Sequence, residues 1–281
     1  MKVLSDDKVK RLLLEMLIAF DETCSSHSIR YSLDSGTLLG AIRHKGFIPW
    51  DDDLDVIVPR PDYEKLLAHS EWLAPPYEMH LPLSEESPHP FAKMIDTRWR
   101  AQEPGLTGVV DEYLWLDIFP ADAVPPDTMQ AEVLCRRQVR RVRYGGRSMS
   151  GVEGLKKGSF KRAVKSLGLP IHRLLFSPQR LFKELDHDAR AIEYGSTERV
   201  ANITWPMVPK NRWIPAADFD ALTKVEFEGH RFNAIPHWHE YLTGLYGDYM
   251  QLPPVEKRDT HGVKVWRAWS APCSDTEVNN A

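Results

Sequence analysis

Apolar residues recur at three- and four-residue steps through the opening stretch MKVLSDDKVKRLLLEMLIAF: Val9, Leu12, Leu13, Met16, Leu17 and Phe20. Charges interrupt them, so the spacing predicts an amphipathic helix and not a secretory leader. Asp6 and Asp7 fall in its first turn, where they complement the helix dipole, and Ser5 is the candidate N-cap. In IRYSLDSG the pattern changes to alternation. Ile29, Tyr31 and Leu33 stand against Arg30, Ser32 and Asp34, which predicts a short strand ending at Ser35-Gly36. GTLLGAIRH then reads as a short helix. Pro49 breaks the chain, Leu54 to Val58 is a strand closed by Pro59 and Pro61, and Asp62 to Leu73 is a helix with Tyr63, Leu66 and Leu67 inward. Prolines 75, 76, 82, 88 and 90 punctuate a loop-rich stretch. FAKMID and EYLWLDIFP are further strands. This order of elements indicates a mixed layer of helices and strands.

The pattern shifts in the middle of the chain. A helix is predicted around Ala131 to Tyr144, and Gly145, Gly146, Gly151, Gly154 and Gly158 then predict a loop. From Arg136 to Arg173 there are twelve Lys and Arg against one acid, Glu153. Such a segment is either a basic surface loop or an electrostatic contact for a polyanion or an anionic membrane face. Tyr144 and Phe160 are its only large aromatics, so nucleic acid is not expected. Another helix runs from Arg180 to about Tyr194. TKVEFEGHRFNAI predicts two strands joined at Gly229-His230. HWHEYLTGLYGDYMQLPPVEKRDTHG adds a helix and a charged loop, and CSDTEVNNA reads as a loose tail.

Composition adds little. The 281 residues suffice for one large domain or two small ones, and 42% apolar residues suffice for a core. A net charge of −4 selects no partner. Cys24, Cys135 and Cys273 are scattered and odd in number, which argues against a disulfide framework and for a reducing cytoplasm. No run is long enough to span a membrane.

The chemistry concentrates in GFIPWDDDLDVIV. Asp51, Asp52, Asp53 and Asp55 crowd the mouth of an apolar run, where repulsion and desolvation both oppose ionisation. Strand side chains alternate, so Asp53 and Asp55 share a face, and Asp51 joins them if the extended path begins there. Two carboxylates so placed suit a hard cation such as Mg²⁺ or Mn²⁺. Asp52 points the other way, as a loop hydrogen-bonder. A solvated acidic turn is the competing reading. A calcium EF-hand is not, because Val56 and Asp62 occupy the positions that need Gly and Glu. Asp117, a lone acid in WLDIF, offers a third carboxylate on another strand. Gly36-Thr37 at a helix N-terminus offers backbone N–H groups to a phosphate.

The stretch YSLDSGTLLGAIRHKGFIPWDDDLDVIVPRPDYEKL, with EYLWLDIFP and YLTGLYGDYMQLPPVEKRDTHG downstream, resembles the LicD family of phosphotransferases, whose domain fukutin and fukutin-related protein share. The likeness is strong over roughly residues 10 to 125 and good over 222 to 262. It implies an α+β fold with a nucleotidyltransferase-like mixed sheet core flanked by helices and a basic, largely helical insertion. The implied layout is a catalytic core at 1–125, the insertion at 126–200, strands and a helix completing the catalytic domain at 201–270, and a tail at 271–281. Carried over, Gly36 and Thr37 form the phosphate-binding turn, and Asp53, Asp55 and Asp117 are the metal ligands. The animal relative's cysteine-rich zinc loop has no counterpart in the scattered cysteines.

The family's reaction implies a CDP-linked donor, a glycan or lipid-linked glycan acceptor, Mg²⁺ or Mn²⁺, transfer of choline phosphate or a similar alcohol phosphate, and release of CMP. Asp117 or Asp51 accepts the acceptor's proton. Arg43, His44 and Lys45 are either a solvated helix end or a phosphate clamp. Lys93 in FAKMID is a site-facing amine, and Lys257, Arg258 and His261 are donor contacts or an ordinary charged loop. Trp50, Trp115 and Tyr246 form a quaternary-ammonium cage or, more simply, pack. Two other functions stay open: nucleotidyl transfer, and a non-enzymatic polyanion-binding module using the basic middle. The expected location is cytoplasmic, with peripheral contact at the inner membrane face.

Overall fold

A computed structural model describes residues 2–102, 112–149, 160–206, 213–258, 260 and 262–268. The chain runs α1 (Asp6–His27), β1 (Ser32–Leu33), α2 (Ser35–His44), β2 (Asp55–Pro59), α3 (Arg60–Ala68), β3 (Tyr77–His80), β4 (Ala92–Gln102) and β5 (Glu112–Ala123). It continues through α4 (Thr128–Met149), α5 (Phe160–Leu175), α6 (Pro178–Ala189), β6 (Arg199–Ala201), β7 (Ile214–Pro215), β8 (Thr223–Phe227), β9 (His230–Ala234), α7 (Trp238–Tyr246) and β10 (Lys264–Arg267).

The main sheet follows the order β1-β2-β5-β4-β10, and β3 pairs with the stretch of β4 that precedes its β10 contact. Only β2 and β5 run parallel among these neighbours; the other pairs are antiparallel. β6 extends the far end of β5, and β7 pairs β6. β8 and β9 form a separate hairpin. This is an α+β fold, a mixed sheet flanked by helices.

The α1 stripe forms as its spacing predicts. Val9, Leu12, Leu13, Met16, Leu17, Phe20 and Cys24 are all buried. Ser5 does stand at the N-cap, but through its backbone: its carbonyl accepts from Lys8 and Val9 N–H, and its side chain makes no capping bond. The core joins this stripe to Leu33, Val56, Ile57, Val58, Leu116 and Ile118 of the central strands. α3 is shorter than its periodicity suggests, ending at Ala68 before a 3₁₀ turn at Ser70–Trp72.

Between β5 and β6 the chain builds α4, α5 and α6, with a second cluster of Val124, Ala131, Leu134, Cys135, Ala189, Ala201 and Ile203. α4 does not stop at the Gly145-Gly146 pair, as a glycine-rich reading expects. The Phe182 ring of α6 lies where a Cβ on Gly145 would stand, 2.4 Å away, so the glycine admits a close helix contact inside a continuing helix. Ser148 and Met149 then keep the buried stripe going for another turn. Cys24 and Cys135 are buried and unbridged. Among the described residues no helix is long and apolar enough to cross a membrane.

Candidate active site

Asp55 opens β2 and is paired in register with Asp117 of β5, which pairs in turn with Lys93 of β4. Residues directly opposite across a sheet present their side chains to the same face. Two carboxylates and an amine therefore form one row across three strands. Asp53 lies just ahead of β2 and not on it, because the regular strand begins at Asp55. It nevertheless meets the same group. Burial pushes its carboxyl well above the usual range, and Asp51, Asp117 and Asp52 push it further. Asp55 is raised by burial and then by Asp53, Asp117, Asp34 and Asp51.

The N-terminus of α2 abuts these acids. Thr37 Oγ1 accepts the Asp55 N–H at 2.8 Å, which ties the helix start to the strand start. A Cβ on Gly36 would stand 2.8 Å from Asp51 Oδ2, so the absent side chain is what lets Asp51 lie over the helix end. Ser35, just before it, has a left-handed φ of 43°, a conformation that costs an L-residue energy and that functional sites often retain. The turn that the sequence singles out is thus brought to the acids.

Behind Asp117 lies a buried ionic chain. Lys93 Nζ is 3.5 Å from Asp117 Oδ1 and 3.8 Å from Glu112 Oε1, and it sits 4.2 Å over the Trp115 ring. His89 Nε2 is 3.3 Å from Glu112 Oε1. Burial works against ionised Glu112, but Lys93 and His89 outweigh it and bring its pKa to about 2. Asp117 is raised, because burial outweighs the help it receives from Lys93. Lys93 thus reaches the site, as its place in FAKMID suggests, already engaged by carboxylates.

On the other side stands a cationic collar. Arg258 lies 4.9 Å over the Trp50 ring, and His44 meets the same ring edge-on at 6.3 Å. Arg43 Nε donates to His44 Nε2 at 2.9 Å and its Nη1 to the Tyr249 carbonyl at 2.6 Å. Burial and then the charge of Arg258 lower the Arg43 pKa; burial and then Arg43 lower that of His44. Tyr246 lies between collar and acids. Tyr246 is 46% exposed, and burial, then Asp55, Asp34, Asp51 and Asp53, raise its pKa. Asp52 accepts from Thr260 Oγ1 at 2.9 Å and from Val263 N–H at 3.0 Å, pinning the incoming C-terminal segment beside the site.

Not every candidate joins this group. Lys45 is the exposed C-cap of α2, and its carbonyl accepts the Glu228 N–H at 2.8 Å. His261 and the Lys257 side chain lie outside the described residues. Trp50, Trp115 and Tyr246 do not make a common cage: Trp115 is buried beneath Lys93, while Trp50 belongs to the collar. The sequence reading passed over Asp34, which is fully buried and whose Oδ1 accepts from Tyr241 Oη of α7 at 2.5 Å. Its signal was present, as an acid closing an apolar alternation just before Gly36. His89 and Glu112 gave none, since each is ordinary in its local sequence.

Oxygen donors of this kind suit Mg²⁺ or Mn²⁺. Among the described residues, however, no three His, Cys, Asp or Glu side chains are disposed to grip one ion together.

Residues 28–102 match the LicD/FKTN/FKRP nucleotidyltransferase domain, a span that includes α2, Asp51, Asp53, Asp55 and Lys93 and stops short of Asp117. The chain is 28% identical over 286 residues to the lipopolysaccharide cholinephosphotransferase LicD of Haemophilus influenzae, covering 94% of this chain and 98% of that protein. Shorter matches join it to uncharacterized proteins of Rickettsia prowazekii, 36% identical over 84 residues, and Rickettsia typhi, 41% over 68 residues. These cover 27% and 21% of this chain, and 30% and 22% of those proteins.

Proposed function

Because the chain belongs to the LicD family, we propose that it transfers choline phosphate, or a closely similar alcohol phosphate, from a CDP-linked donor to a hydroxyl of a lipopolysaccharide-type glycan. The relative that aligns over nearly the whole chain bears the name of a lipopolysaccharide cholinephosphotransferase. The observation that carries the reading is the register pairing of Asp55 with Asp117, with Asp53 in the same group and Thr37 of the α2 N-terminus bonded to Asp55.

The division of charge suits a diphosphate donor. Asp53 and Asp55, with Asp117 next to them, would hold Mg²⁺ or Mn²⁺, which when bound offsets phosphate charge. Gly36 and Thr37 offer the helix N-terminus to a phosphate oxygen. Arg43 and Arg258 supply fixed positive charge on the other side, where the nucleotide phosphate departs. The acceptor oxygen attacks the phosphorus that carries the alcohol, the bond from that phosphorus to the CMP oxygen breaks, and the acceptor's proton passes to a carboxylate. Asp51, over the α2 N-terminus, and Asp117, on β5, are the two carboxylates placed for that role. Phosphoryl transfer depends chiefly on positioning and electrostatics, which these residues provide.

The test is product analysis with purified protein, Mg²⁺, a lipopolysaccharide acceptor, and CDP-choline, CDP-ribitol or CDP-glycerol. The expected result is free CMP in proportion to alcohol phosphate on the glycan. Nucleotide retained on the acceptor would establish nucleotidyl transfer instead. No turnover of any activated donor, with salt-sensitive binding of polyanions, would establish a binding module.

A further inference from the structure

Several arginines of α4 are paired within the helices. Arg136 bonds Glu132 at 2.5 Å, Arg137 bonds Asp188 at 2.8 Å, and Arg141 bonds Asp188 at 2.5 Å and Glu184 at 3.3 Å. These arginines clamp α4 to itself and to α6. Arg140 and Arg143, on the same helix, are exposed.

Among its described residues, α5 meets the end of α4 through its C-terminal end. Ser148 Oγ lies 2.9 Å from His172 Nδ1 and donates to the Phe176 carbonyl at 2.6 Å, Arg173 Nε donates to the Ser148 carbonyl at 2.7 Å, and Tyr144 stacks on Phe176 with centroids 4.7 Å apart. Round the helix from these contacts, Ile171, Leu174 and Leu175 are 62%, 85% and 67% exposed. Their spacing of three and four places them on one face. In sequence, Glu153 is the only acid between Glu132 and Glu184.

An aliphatic ridge within a strongly basic, acid-poor segment has the composition of an interfacial helix. Among the described residues the ridge holds three aliphatic side chains and no aromatic one, a poor centre for a stable protein–protein interface, which typically uses Trp, Tyr or Arg in a well-packed pocket. Shallow insertion together with attraction to anionic headgroups requires only what is present. We propose that the C-terminal half of α5 seats on an anionic lipid surface. Ile171, Leu174 and Leu175 enter the headgroup boundary, and Arg140 and Arg143 are drawn to the lipid charge. This contact is independent of the chemistry at the acids, and it places the surface recognition on α5 and not on the internally paired arginines.

The experiment is flotation of the whole protein with phosphatidylcholine vesicles, with and without phosphatidylglycerol. The protein should float with the anionic vesicles only, and less so at high salt, since screening acts within about 8 Å at physiological ionic strength. The double substitution Ile171→Glu/Leu174→Glu should weaken that binding by about tenfold or more, and Arg140→Gln/Arg143→Gln should weaken it less. Melting temperature and turnover of a soluble donor should not change in either. Equal binding to neutral and anionic vesicles, or full binding by the Glu variant, overturns the proposal. So does conversion of an oligomer to a monomer by the Glu variant with vesicle binding unaltered, which would make the ridge a contact between copies.

Discussion

Asp55 and Asp117 are register partners across the parallel β2–β5 pair, so two acids widely separated in sequence project side by side from the same face. Burial, then Asp53 and Asp117, raise the proton affinity of Asp55, and burial raises that of Asp117 against a lysine that opposes the rise. Removing one charge should therefore relieve the fold while disabling the site. Asp55→Asn should lower transfer by about a hundredfold or more, the scale of losing one charge-stabilising group, with the metal-free melting temperature level or higher. Wild-type turnover in both Asp53→Asn and Asp55→Asn would refute the assignment.

Lys93 gives the opposite expectation. Its side chain, Glu112 and Asp117 are only 8%, 13% and 14% exposed. Lys93→Met should cost about 3–5 kcal/mol, because it leaves two enclosed carboxylates uncompensated. Adding Glu112→Gln should restore part of that stability. Urea denaturation of the three variants reads the cycle. A neutral effect of Lys93→Met would mean that the ionic chain adds nothing to the fold.

The legible part of the structure was the part encoded by local pattern. The α1 stripe, the short α2 with Gly36-Thr37 at its start, β2, β5 and the β8–β9 hairpin all carry a clear period or turn. β3, β6, β7 and β10 do not. Each is at most four residues long and gains its identity from the strand it joins. The acids were visible because carboxylates beside an apolar run are costly without a reason. The chain from Asp117 through Lys93 to Glu112 and His89 was not, since strand register pairs Lys93 with Asp117 and only the folded sheet and the loop before β4 bring Glu112 and His89 to them. Arg258 reached Trp50 by a long-range approach that no spacing rule contains.

Gly36 separates catalytic geometry from stability. A methyl group there would stand 2.8 Å from the movable carboxylate Asp51, not from backbone. Gly36→Ala should leave the fold as stable or raise it by about 0.5–1 kcal/mol, the usual preference for Ala inside a helix. Turnover should fall by about tenfold, because Asp51 must swing aside and small displacements near a reacting group are costly. Calorimetry and transfer assays on one preparation measure both. Activity equal to wild type would remove Asp51 from the mechanism.

His237 supplies a pH dependence away from the acids. Its Nδ1 lies 2.7 Å from Asp218 Oδ1, and that hydrogen bond, then the carboxylate's charge, raises the imidazole pKa above its ordinary value. The folded state therefore binds the proton more tightly than the unfolded state. The resulting stability is fully present below about pH 6.5, the unfolded value, and is lost as pH rises through the higher folded value. The urea midpoint of the wild type should fall more over that window than that of His237→Gln. Parallel curves would show that the pair does not contribute.

The Asp52 carboxylate, held by Thr260 and Val263, also sets an order of events during synthesis. Ribosomes deliver the acids through Asp117 first. Residues from Arg258 onward follow on the order of ten seconds later, at ordinary elongation rates. Until then the nascent chain has carboxylates able to collect cations but neither the collar's Arg258 nor the β10 strand that pairs with β4 and whose Val265 carbonyl accepts the Leu4 N–H. On the proposed function, transfer would await the finished chain.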